Sequence, residues 1–94
     1  MDNDELLALL SATAKGNKNA FANLYQNTSA KLFAISLKML GNRAQAEEVL
    51  QDSFVKIWHN ASEYQVSKGA VMSWMISIVR YRSLDLIRHN KVRK

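Results

Sequence analysis

Residues 42–58 read Asn42-Arg43-Ala44-Gln45-Ala46-Glu47-Glu48-Val49-Leu50-Gln51-Asp52-Ser53-Phe54-Val55-Lys56-Ile57-Trp58. Ala46, Val49, Leu50, Ser53, Phe54, Ile57 and, just beyond, Ala61 recur at the i, i+3, i+4, i+7 spacing that gathers side chains on one side of an α-helix. Asn42 stands where an N-cap is needed, with a side-chain oxygen able to accept from a first-turn amide. On the far side, Glu48, Gln51, Asp52 and Val55 repeat the same spacing. The stretch therefore predicts a helix with one face for a core and a second face of carboxylates, an amide and one apolar group.

Working outward, the neighbouring segments are helical too. Proline is absent, and Gly16, Gly41 and Gly69 separate stretches of helical period. A first helix is expected from Asp2 or Asn3 as N-cap to about Ala14, with Leu6, Leu9, Leu10 and Thr13 on one face and early acids that suit the positive helix end. A second begins after Asn17 or Asn19 and carries Phe21, Leu24, Tyr25, Thr28, Leu32, Ile35 and Met39 in one stripe, flanked by Phe33, Leu37 and Leu40; Gly41 supplies its left-handed stop. The period fails between Asn60 and Gly69. Ser62, Glu63, Tyr64, Gln65, Ser67 and Lys68 read as a loop longer than a bundle turn needs. Ser67 is placed to cap a fourth helix that buries some of Val71, Trp74, Met75, Ile78 and Val79 and shows Ser77, Arg80, Tyr81, Leu84, Arg88 and Lys91 on another face. The expected fold is all-α, a compact four-helix bundle, with the last turns of the fourth helix reaching past the core.

Composition bounds what such a bundle can do. Ninety-four residues, 48% hydrophobic and 22% charged, supply one core and therefore one domain spanning 1–94. No cysteine is present, which removes disulfides and thiolate metal sites. The acidic N-terminus has the wrong charge for a secretory signal, and the most apolar window, Ala70 to Val79, is half a membrane span, so a cytoplasmic protein with no membrane partner is expected. The net charge of +5 lies entirely in residues 80–94, where Arg80, Arg82, Arg88, Lys91, Arg93 and Lys94 face a single acid, Asp85. Such a basic segment is an electrostatic footprint for a polyanion, or else a solubilising tail. Asp85, three residues after Arg82 and four before His89, is expected to pair within its own helix and orient the basic face.

Catalytic constellations are absent: there is no glycine-rich phosphate loop, and the two histidines, His59 and His89, lack metal-ligand spacing. Glu47, Glu48 and Asp52 on an exposed face read as solvated or partner-facing rather than as a cation site. Neither an enzyme nor a cofactor is expected. Trp58 and Trp74 lie on or beside core stripes and are assigned to the core. Tyr64, in the aperiodic loop beside hydrogen-bonding side chains, is a candidate to hold an unstacked base.

Taken together, the segments resemble region 2 of bacterial sigma factors of the extracytoplasmic-function class (group IV). Lys15-Gly16-Asn17 with Ala20-Phe21 and Leu24-Tyr25 is similar to the family's opening signal. Leu40-Gly41-Asn42 followed by Ala46 through Trp58 matches its most recognisable stretch, and Ser73-Trp74-Met75-Ile78 with Arg82, Asp85, Ile87 and Arg88 matches the helix that handles the minus-ten promoter element. The likeness runs from Lys15 onward; Asn17 stands where Asp is usual, and Tyr81 where Asn is common.

The resemblance implies a transcription-initiation factor. Glu48, Gln51, Asp52 and Val55 would grip the clamp helices of the RNA polymerase beta-prime subunit, and an anti-sigma factor would cover the same surfaces. Tyr64, Ser67, Lys68, Ser77, Arg80, Tyr81, Arg88 and Lys91 would meet the non-template strand of promoter DNA, arginines and Lys91 on phosphates, the loop and Tyr81 on bases. Residues 88–94 would begin a basic linker to a C-terminal helix-turn-helix domain that this stretch does not include. Two other readings stay open on sequence: a helix-turn-helix reader of double-stranded DNA, and a protein-interaction module with a basic tail.

Overall fold

The starts of the first three helices are each fixed by a side chain one residue ahead of them. In the computed structural model, which describes residues 1–92, α1 spans Asn3–Ala14, α2 Lys18–Leu40, α3 Arg43–Asn60 and α4 Val71–Val92. Asp2 caps α1 by accepting from the Glu5 amide at 2.8 Å, and the Glu5 carboxylate turns back to the Asp2 amide to complete a capping box. Asn17 and Asn42 do the same for α2 and α3, accepting from Ala20 N–H at 3.0 Å and Gln45 N–H at 2.9 Å. Gly41 ends α2 at φ +67°, a left-handed conformation costly for any residue with a Cβ, and sends its N–H to the Leu37 carbonyl. The turn into α3 is therefore short.

The cap of α4 is different from the one expected. Ser67 lies inside a 3₁₀ turn, Val66–Lys68, and the first amide of α4, that of Val71, instead donates to the Asn3 side-chain oxygen at 2.8 Å. The N-terminus of α1 thus closes the start of α4. The loop between α3 and α4 is likewise more ordered than its aperiodic sequence suggests, with two 3₁₀ turns, Ala61–Glu63 and Val66–Lys68.

One core unites the four helices. Leu6 and Leu10 of α1, Leu24 and Leu32 of α2, Val49, Leu50, Phe54 and Ile57 of α3, and Val71, Met75, Val79 and Leu86 of α4 are buried together. The α3 stripe is buried from Ala46 to Ala61. On α2 the buried row is Ala20, Leu24, Thr28, Leu32 and Ser36, rotated from the expected stripe so that Tyr25 is exposed and Phe21, Ile35 and Met39 are only half-buried. Small residues on that row suit the one helix that packs closely on all three others. The Thr28 hydroxyl satisfies itself on the Leu24 carbonyl at 2.7 Å, and Ser36 reaches across to the Ala46 carbonyl at 3.3 Å.

Past Leu86 the helix continues. Arg88, His89 and Lys91 are exposed along it, so residues 88–92, expected to begin a linker, are further turns of α4; Arg93 and Lys94 lie outside the described residues. Among the described residues no helix is long and apolar enough to cross a membrane, and no group of side chains is arranged to hold a metal ion.

Candidate functional site

Because the apolar stripe of α3 is consumed by the core, its opposite stripe must face outward. Glu48, Gln51, Asp52 and Val55 are all exposed, Val55 to 57%. Beside them, between α2 and α3, Phe21, Tyr25, Phe54 and Trp58 line a largely apolar groove that Gln51 and Val55 complete. Their rings meet edge to face, Phe21 with Trp58 at 5.1 Å and Phe21 with Phe54 at 6.1 Å between centroids. Trp58 is therefore a groove wall, half-buried, rather than part of the core proper; Trp74 is half-buried and packs on the core from outside.

The carboxylates of the stripe are not all free. Arg82 of α4 donates from Nε to Oδ2 of Asp52 at 3.1 Å, holds its Nη2 in ion-pair contact with the same oxygen at 2.9 Å, stands 3.7 Å from Glu48, and reaches Asp85 of its own helix at 3.4 Å. The expected Arg82–Asp85 pair is present. Its stronger contact is to α3, thirty residues away, where no reading of one helix at a time could find it. Among the described residues no ion pair joins Asp85 to His89.

On α4, Ser77, Arg80, Tyr81, Arg88 and Lys91 are all exposed, with Leu84 among them. Fourteen residues separate Ser77 from Lys91, so at 1.5 Å per residue the face runs for about 21 Å, long enough to follow several nucleotides. Tyr81, 67% exposed, holds its ring under the Lys56 ammonium of α3 at 5.9 Å from the centroid. Lys56 was missed in the sequence because it belongs to neither stripe of α3; its place at the α3–α4 groove, with Ser77 and Tyr81, needs the packing of the two helices.

Tyr64 has more packing than its loop sequence suggests. The ring is half-buried and edge-on to Trp74 at 5.6 Å, and its hydroxyl donates to the Gly69 carbonyl, closing the loop on itself. Gln65, Ser67 and Lys68 project from the same loop exposed, with Val66 at 65%. The structure thus gathers the predicted residues into an acidic face on α3, a basic and aromatic face on α4, and a braced loop leading into α4.

The model of sigma-70 region 2 matches residues 24–93, which takes in most of α2 and everything after it. The chain belongs to that family. Relatives extend the likeness into α1: the chain is 31% identical over 85 residues to an ECF RNA polymerase sigma factor SigK of Mycobacterium ulcerans, covering 90% of the chain and 46% of that protein. It is 33% identical over 84 residues to SigK of Mycolicibacterium vanbaalenii, covering 89% and 43%, and 30% identical over 84 residues to SigK of Mycobacterium bovis BCG, covering 89% and 45%. The chain spans a little under half the length of these relatives. It is a region 2 domain of the extracytoplasmic-function kind, within a family of transcription-initiation factors rather than enzymes. The four-helix arrangement of the region 2 domain is the fold its sequence predicts.

Proposed function

We propose that this region 2 domain docks on core RNA polymerase through α3 and captures the non-template strand of the minus-ten promoter element with α4 and the loop before it. The observation that carries the reading is the separation of two chemically opposite faces around one shared core: carboxylates and an amide on α3, and Arg80, Tyr81, Arg88 and Lys91 exposed along α4. Glu48, Gln51, Asp52 and Val55 suit an arginine-bearing helix such as the clamp helices of the beta-prime subunit, with charge-assisted bonds to the acids and an apolar contact at Val55. The groove beside them offers that helix an aromatic wall.

On the other face the arginines and Lys91 hold phosphates, while Tyr81, Ser77 and the exposed Ser67 and Lys68 approach bases. Tyr64 shapes the loop that receives an unstacked base. An anti-sigma factor seated on the α3 face would block the first of these contacts. The connection from α3 to α4, with its two 3₁₀ turns, is not the tight turn of a helix-turn-helix reader.

The test is to mix the chain with core polymerase and with single- and double-stranded promoter fragments. Binding to polymerase, together with preference for the single non-template strand, is the expected pattern; preference for the duplex would overturn it. Charge reversal at Asp52 combined with Gln51→Ala should weaken polymerase binding and leave helicity unchanged, since both side chains point away from the core. A double variant that binds polymerase like the parent removes α3 from the interface.

A further inference from the structure

Arg82 is the least exposed member of its cluster, its side chain 31% exposed against 46% for Asp52, 58% for Glu48 and 64% for Asp85. It lies between α3 and α4 rather than along the outward basic face, and its hydrogen bond and its ion-pair contact to Asp52 fall on one oxygen, Oδ2. A guanidinium is a rigid planar fork, so an Nε hydrogen bond and an Nη2 ion-pair contact on one carboxylate oxygen, with Nη2 shared with Glu48 and Nη1 turned to Asp85, fix the direction of that carboxylate. A carboxylate offers about four lone-pair sites, and the Arg82 contacts leave Oδ1 of Asp52 to accept from elsewhere.

We propose that Arg82 is a positioning residue for the polymerase-binding face: it holds Asp52 by Oδ2 in a single rotamer and presents Oδ1 to a basic partner helix. The inference rests on the proposed role of α3. A flexible carboxylate must be ordered when a partner binds, at a cost in side-chain entropy; one already anchored to a neighbouring helix avoids it. Anchoring also ties α3 to α4, so the two faces are presented at one fixed angle.

The sign of the effect separates this role from plain electrostatics. Arg82 is a cation within an acidic face, so if it only neutralised its neighbours, removing it would make the face more negative and tighten binding to a basic helix. Positioning requires the opposite. The experiment measures association and dissociation rates on core RNA polymerase for the parent, Arg82→Ala, Arg82→Lys, Asp52→Ala and the Arg82→Ala/Asp52→Ala double variant, with helicity and melting temperature followed alongside.

Arg82→Ala should dissociate about three- to ten-fold faster, the range of a partly exposed charge-assisted contact. Arg82→Lys, a single-point donor that keeps the charge, should recover part of the loss. In the Asp52→Ala background, Arg82→Ala should change dissociation by less than about twofold, because its effect passes through Asp52. Arg82→Ala binding as tightly as the parent or tighter overturns the proposal, and so does an undiminished loss in the Asp52→Ala background, which would mark a general structural role. If Arg82→Ala lowers helicity, Arg82→Lys carries the test: full parental dissociation from that variant would show that charge alone suffices. Asp52→Ala without effect on polymerase binding is a different failure, of the α3 assignment itself.

Discussion

Tyr64 shows how one side chain divides its atoms between two tasks. Its hydroxyl is committed to the Gly69 carbonyl and its ring edge to Trp74, so the residue braces the loop from which Gln65, Ser67 and Lys68 project. Tyr64→Phe keeps the ring and loses one hydrogen bond, a cost of about 0.5–1.5 kcal/mol that should appear as a small fall in melting temperature. Tyr64→Ala loses the ring too, and should lower the melting temperature further while weakening binding of the minus-ten strand. Comparing a strand intact with one carrying an abasic site at the captured position separates bracing from stacking. Equal losses on both are expected from a brace; a loss of about five- to a hundred-fold confined to the intact strand would make the ring a stacking surface instead.

At the scale of the element, α4 carries predictions at both its ends. Arg88 is exposed two turns past Tyr81 on the outward face, and Arg88→Ala should weaken all single strands alike and flatten the log-log dependence on salt by about 0.7, one phosphate contact. A strongly sequence-selective loss would give Arg88 a base instead. At the start of the helix, Asn3→Ala removes the cap on Val71 and should destabilise the domain by about 0.5–2 kcal/mol, read from denaturant midpoints. Helix by helix, legibility in the sequence followed signal strength. The α3 stripe of Val49, Leu50, Phe54 and Ile57 is strongly apolar, and its burial matches its period throughout. On α2 the buried row includes Ala20 and Ser36, small side chains absent from the expected stripe, whereas Tyr25 and Met39, large members of that stripe, face outward or to the rim; the phase follows the larger residues. The exposed face of α4 was legible for the same reason as that of α3, but Arg82 on Asp52 and Asn3 on Val71 join separate helices, and periodicity within one helix holds no trace of them.

For the molecule as a whole, a single shared core makes stability all or none. Leu24 and Leu32 on α2 are wholly buried where that helix meets the others. Leu24→Ala should cost about 2–5 kcal/mol, against a total of roughly 5–14 kcal/mol for a chain of this size, and unfold all four helices in one transition. Separate transitions for α1 and the rest, seen by probes in each, would refute a common core. The Asn3–Val71 bond spans 68 positions of sequence, and that span has a temporal meaning. During synthesis at roughly 5–20 residues per second, about 3 to 14 s pass between the making of Asn3 and the arrival of the amide it caps. Through that interval the Leu6 and Leu10 side chains have only α2 and α3 to cover them, so α1 keeps apolar surface uncovered until α4 clears the ribosome.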